Sequence, residues 1–152
     1  MKKYITELLG LVILVSTTGI SATSETNYAV VTEVRTQGGQ SNYDFTVTVK
    51  SPDKGCRQYA NWWEVLTIDG KLLYRRILAH SHVTEQPFTR SGGTVNINPD
   101  TEVIVRAHMH PAGYGPDAMR GSVAKGFAPV ALTKGFAARL ERLKPHVEYC
   151  AW

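Results

Sequence analysis

Four of the five histidines in this chain fall into two His-x-His pairs, His80-Ser81-His82 and His108-Met109-His110. Side chains at i and i+2 of an extended strand share a face, so each pair would present two imidazoles together. Neutral imidazole is a good ligand for Zn(II), Cu(II) and Ni(II). Two such pairs on neighbouring strands would supply the nitrogens of a copper or zinc centre, with Glu85 as an additional oxygen ligand. Met109 and Met119 add thioether sulfur suited to Cu(I), although Met109 should point away from the histidines that flank it. The competing assignment is structural: polar residues at strand ends that bond backbone carbonyls or water. His146, beside Pro145, has no such pattern and reads as structural.

Catalysis would need more than these ligands. A metal-dependent hydrolase requires a base, a water and an open metal position. Glu85 is the acid near the first pair and Asp117 the one just after the second. Ser81 lies between two histidines, but adjacent strand residues face opposite ways, so a Ser–His nucleophile is not expected. His108-Met109-His110-Pro111 shares its opening with the zinc isopeptidase motif. Asp117 follows too closely for that motif and the required serine is missing, so it is excluded, and no catalytic residue is assigned.

A different chemistry is offered by the aromatic residues Tyr59, Trp62 and Trp63. Strand alternation puts one tryptophan in a core and the other on the outer face. An exposed tryptophan with Tyr59 could stack on a sugar ring, giving a module that binds glycan or a partner protein. A C-terminal cover over that ring is the alternative. Arg90, within Glu85-Gln86-Pro87-Phe88-Thr89-Arg90, could hold an anionic ligand or pair with Glu85.

The elements that must position these residues begin after a leader. Lys2 and Lys3 precede the apolar run Leu8 to Val15, which is of signal-peptide length and too short to span a bilayer. Small residues follow, with cleavage expected after Ala22 or Ser24. We therefore read 1–24 as a signal peptide and 25–152 as a single domain that is periplasmic or secreted, with no stable membrane span once the leader is removed. No cysteine lies near the cleavage region, which argues against a lipid anchor on this chain. The two cysteines, Cys56 and Cys150, are expected to form one disulfide, since an even count in an exported chain favours pairing. A redox or metal role for the thiols is the alternative. The formal net charge is only +4, and no stripe of basic and aromatic residues alternates along the chain, so nucleic acid is not an expected partner.

Period-two alternation dominates the domain and predicts antiparallel β-structure. Residues 29–36 and 43–49 read as one hairpin, turned by Gln37 to Asn42. Residues 62–68 and 71–78 read as a second, because Asp69-Gly70 between two apolar runs suits a tight turn. A short edge strand is expected at 86–90, with Ser91-Gly92-Gly93 as a turn. Further strands are expected at 101–108 and 127–132. Extending the alternation past Leu78 puts His80 and His82 on the face of Tyr74 and Arg76. Arg106, His108 and His110 share the mixed face of the later strand, opposite Val103, Val105 and Ala107. Apolar Phe136, Leu140 and Leu143 have the spacing of a short amphipathic helix that ends before Pro145. The fold expected is a mainly β, antiparallel sandwich of immunoglobulin or fibronectin type with a short C-terminal helix.

The stretch WWEVLTIDGKLLYRRILAHSHVTEQPFTRSGG from Trp62, the later RAHMHPAGYG and the ending near Cys150 resemble a family of small exported bacterial proteins with no assigned activity. That resemblance implies a secreted or periplasmic β-rich domain and a disulfide between the two cysteines. It implies no substrate and no catalytic residue.

Overall fold

The structure, a computed structural model, describes residues 27–147 and 149–151. The leader read at 1–24 lies outside the described residues. Two antiparallel sheets face one another. In the first, β1 (Val30–Gly39), β2 (Asn42–Lys50) and β5 (Phe88–Asn96) run in the order β1-β2-β5. The second runs β4-β3-β6-β8-β9, from β3 (Tyr59–Thr67), β4 (Leu72–Ile77), β6 (Val103–His110), β8 (Asp117–Ser122) and β9 (Gly126–Ala131). The two-residue β7 (Gly113–Tyr114) pairs with β6. The chain crosses between sheets after β2, β4 and β5, the connectivity of Greek-key sandwiches.

The burial pattern explains the sheets. In β2 the apolar residues Tyr43, Phe45 and Val47 are buried while Asn42 and Asp44 are exposed, so one face meets the core and the other meets water. Strand β3 differs: every residue from Tyr59 to Leu66 is buried. Its inner face contributes Trp63 and Val65 to the main core with Val103, Val105 and Met109 of β6. Its outer face is covered by the C-terminal segment, where Leu66 and Ile104 pack against Leu140 and Phe136.

Three expectations need correction. Ser91-Gly92-Gly93 does not turn the chain but lies inside β5. Its glycines serve close packing: a Cβ on Gly92 would lie 2.6 Å from the Tyr74 hydroxyl oxygen, and one on Gly93 2.1 Å from Asp44 Oδ1. Strand β4 ends at Ile77, so His80 and His82 do not continue its alternation. The C-terminal helix is a five-residue 3-10 helix, Ala138–Arg142, rather than an amphipathic helix over 136–143. Left-handed backbone at Gly135 and Ala137 starts it late. Buried arginines donate to the carbonyls of Phe136, Ala137 and Leu140, which an α-helix over 136–143 would use for its own ladder. Strand β8 occupies a stretch for which the alternation predicts no element.

Cys56 and Cys150 are bonded, closing a separation of 94 residues and holding the tail against the loop that precedes β3. Beside the bond, the Ala151 amide donates to the Ala79 carbonyl at 2.6 Å. Closing so long a loop restricts the unfolded chain and typically stabilises a fold by about 2–4 kcal/mol. The Cys56→Ser/Cys150→Ser variant is therefore expected to lose about that much in urea denaturation. An unchanged midpoint would show that the tail is held without the bond.

Candidate functional site

The four paired histidines do not converge. His108 lies in β6, opposite Trp62 of β3, and their rings stack at 3.8 Å. His110 ends the same strand, exposed, with its ring edge towards Tyr59. His80 and His82 sit beyond β4, where the chain leaves the sheet. Their rings lie 4.4 Å apart. His80 is exposed and forms an isolated bridge with Ala151, whereas His82 is buried and stacks on Phe88 at 3.7 Å. Among the described residues, no group of three or more His, Cys, Asp or Glu is arranged to hold a metal ion. The four-histidine copper or zinc centre therefore does not fit this arrangement. Glu85, the expected extra ligand, forms a two-point ion pair with Arg90 at 2.8 and 3.1 Å. That contact is the Glu85 pair given above as the alternative to an anionic ligand for Arg90. Met109 points into the core, as its place between two outward histidines requires.

Each buried histidine has a specific setting. His108 Nδ1 lies 2.6 Å from Asn61 Oδ1, while Nε2 lies 3.3 Å from Glu141 Oε1 without hydrogen-bond geometry. Burial, then the charges of Arg75, Arg106 and His110, lowers the His108 pKa to about 3. His82 has no hydrogen-bond partner on either ring nitrogen. Its pKa is lowered to about 4, first by burial and then by Arg90 and His80, against the opposing pull of Asp53 and Glu85. Both imidazoles are neutral at pH 7.

The aromatic expectation also changes. Trp63 faces the core, fully buried, and Trp62 faces outward, as alternation required, yet is only 3% exposed. His108 stacked on its ring, the Arg75 guanidinium 4.5 Å from its centre and the Tyr114 ring at its edge exclude it from solvent, so neither tryptophan is available to a glycan. Beneath the C-terminal cover lies a charged network. Glu64 is fully buried and bridges two arginines: Oε2 accepts from Arg75 at 2.7 and 2.9 Å, and Oε1 accepts from Arg106 at 2.9 Å. The remaining guanidinium donors reach carbonyls of the tail. Arg106 donates to Phe136 and Ala137, and Arg75 to Leu140, Leu143 and Pro145. Carboxylate and carbonyls together satisfy charges that could not otherwise be buried.

Arg106 of this network lines a groove of about 500 Å³ between the loop after β6 and the segment after β9. Tyr28, Tyr114 and Phe136 give it half-buried aromatic rings, and Lys134 and Glu141 give it exposed charges of both signs. Arg106 lies 3.5 Å from the Tyr114 ring centre, fixing that ring. Burial, then the Glu64 carboxylate, pushes the Tyr114 phenol up to about 12, so it stays protonated. Gly115 lets the N-terminal segment close one wall: a Cβ there would lie 2.7 Å from Tyr28 Cβ. Tyr114 and Gly115 fall outside the strands that the alternation predicts, and Lys134 and Glu141 are ordinary surface charges. Only folding brings them together. A second cleft, of about 420 Å³, lies between β1 and β8–β9, with Val31, Asp117, Met119 and Pro129 among its walls. No histidine lines either of these two cavities, and Asp117 lines the second without one.

No family model matches the chain, and no solved structure matches it significantly. A protein of Halomicrobium mukohataei described as "Putative lipoprotein" is 43% identical over 96 residues, which cover 62% of this chain and 46% of that protein. The chain thus spans less than half the length of the curated relative it matches. That relative's description is consistent with an exported protein. Among the described residues, no helix is long and apolar enough to cross a membrane.

Proposed function

We propose that this chain is an extracytoplasmic binding module, periplasmic or secreted, that takes a carbohydrate unit in the groove between Tyr28, Tyr114 and Phe136. The leader read at 1–24, the Cys56–Cys150 bond and the description of the relative support the compartment. The carrying observation for the ligand is the groove itself. Its volume of about 500 Å³ falls in the range of small-ligand sites, and such sites combine aromatic walls with a few placed polar groups. Aromatic faces suit the apolar face of a sugar ring, while Lys134, Thr133 and Glu141 offer a donor, a hydroxyl and an acceptor to its hydroxyls.

A glycan array probed with the labelled chain tests this reading, followed by calorimetry on the best saccharide. Tyr28→Ala and Lys134→Ala are each expected to weaken binding about tenfold, equivalent to about 1.4 kcal/mol. Trp63 is sealed in the core and contributes no contact to the ligand. An array with no bound saccharide, or affinity that survives both substitutions, would contradict the proposal.

A further inference from the structure

The C-terminal cover has an outer side as well as the side it packs on the sheet. Its 3-10 helix spans Ala138–Arg142, and side chains three apart in such a helix stand one above the other. Arg139 and Arg142 therefore share one ridge, both exposed, while Leu140 between them is buried. Lys144 follows, also exposed.

This ridge is fixed to the turn between β3 and β4. Arg139 Nη2 donates to the Gly70 carbonyl at 3.4 Å, and a Cβ on Gly70 would lie 2.8 Å from Ala137 Cβ. Lys71 in that turn is exposed. Beyond the ridge, Arg75 holds the Leu143 and Pro145 carbonyls at 2.5 and 3.0 Å. Turn and ridge thus form one surface.

Charge and apolar exposure together point to what meets it. Lys71, Arg139, Arg142 and Lys144 make no ion pair among the described residues, whereas Arg35, Arg75, Arg90, Arg106 and Arg120 are each paired with a carboxylate. The acids nearby are engaged: Asp69 accepts from the Thr67 hydroxyl, and Glu141 Oε1 lies 3.3 Å from His108 Nε2. Four bases against these two acids leave a local charge of +2. Ile68 lies in the same turn as Lys71, and Leu143 stands between Arg142 and Lys144. They are 52% and 48% exposed, two of the four large apolar side chains left open among the described residues. A ridge that met only water or a dissolved anion would leave both aliphatic chains wet. At an anionic lipid interface the bases meet headgroup phosphates and the aliphatic chains enter the acyl boundary.

We propose that the turn bearing Ile68 and Lys71, together with the segment Arg139 to Lys144, docks this protein on a bilayer rich in anionic phospholipid. None of the six side chains lines the groove, so docking leaves the groove open and the proposal stands independently of its ligand.

The test is sedimentation of the exported protein with vesicles of phosphatidylcholine alone and of phosphatidylcholine mixed equally with phosphatidylglycerol. The protein should sediment with the mixed vesicles only, and less so as salt is raised. Arg142 and Lys144 are exposed, so Arg142→Glu/Lys144→Glu should keep the parent's urea midpoint while its partitioning falls at least about tenfold. Lys50→Glu/Lys54→Glu changes net charge equally at exposed positions away from this surface, and should partition within about twofold of the parent. Leu143→Ser should weaken partitioning without altering its salt dependence. No sedimentation with mixed vesicles, or an equal loss in the Lys50/Lys54 variant, would overturn the proposal. So would full binding by Leu143→Ser with displacement by soluble polyphosphate, which would assign the surface to a dissolved polyanion.

Discussion

Glu64→Gln is expected to destabilise the domain by about 3–5 kcal/mol, the cost typical of removing one partner from a buried ion network. The substitution preserves shape, removes the charge and replaces one accepting oxygen with an NH2 donor that faces a guanidinium. Arg75 and Arg106 have side chains 0% and 2% exposed, and Glu64 supplies the only carboxylate within salt-bridge distance of either among the described residues. Both guanidiniums would remain buried without a carboxylate. The tail carbonyls they also bond belong to Phe136, Ala137, Leu140, Leu143 and Pro145, so the loss should spread to the segment that covers the outer face of β3. Urea denaturation gives the total. Hydrogen exchange should place the earliest loosening in 136–145, whose carbonyls the two arginines hold. A change below about 1 kcal/mol would mean that Glu64 does not compensate these charges.

The second large effect is acid lability. His108 has a folded pKa of about 3, and an unfolded histidine titrates near 6.5. Above pH 6.5 neither state is protonated and this group adds no pH dependence. Between pH 6.5 and about 3 the unfolded chain takes up the proton and the folded one does not, so stability falls as pH falls. The slope approaches 1.4 kcal/mol per pH unit for one such group, and it vanishes once the folded state also protonates. His82, with a folded pKa of about 4, acts in the same direction over a narrower window. Arg75, Arg106 and His110 all oppose a proton on His108, and Glu141 at 3.3 Å is the acidic group beside it. We expect several kcal/mol to be lost between pH 7 and 4.5 in urea denaturation. His108→Phe should flatten much of that loss. Stability unchanged over this range would contradict the account of a buried neutral imidazole.

What could be read from the sequence follows from local periodicity. Tyr43, Phe45 and Val47 alternate with polar residues because β2 has one wet face, so that strand and its partner were recognisable. Asp69-Gly70 placed the β3–β4 turn because its requirement is local: Gly70 takes a φ of +83°. Alternation also correctly separated Met109 from His108 and Trp63 from Trp62. It failed where tertiary contacts decide. Gly92 and Gly93 signal a turn in isolation, whereas here they admit Tyr74 and Asp44 against a strand. Phe136, Leu140 and Leu143 have helical spacing, but their backbone oxygens are engaged by arginines from other strands, so spacing alone could not define the backbone. The outer face of β6 looked open to solvent because nothing in Arg106 or His108 reveals a cover that arrives thirty residues later. One hint was present: Glu64 stands in an otherwise apolar run and Arg106 in another, a pairing that buried charge requires.

The most direct test of the proposed function is amide NMR of the labelled full chain titrated with the saccharide selected by the array. The account predicts saturable shifts confined to the groove walls, at Tyr28, Tyr114, Lys134, Phe136 and Glu141, with Val31 and Pro129-flanking amides of the second cleft unmoved. Saturable shifts centred on the β1–β9 cleft, or no saturable shift at any saccharide concentration, would contradict it.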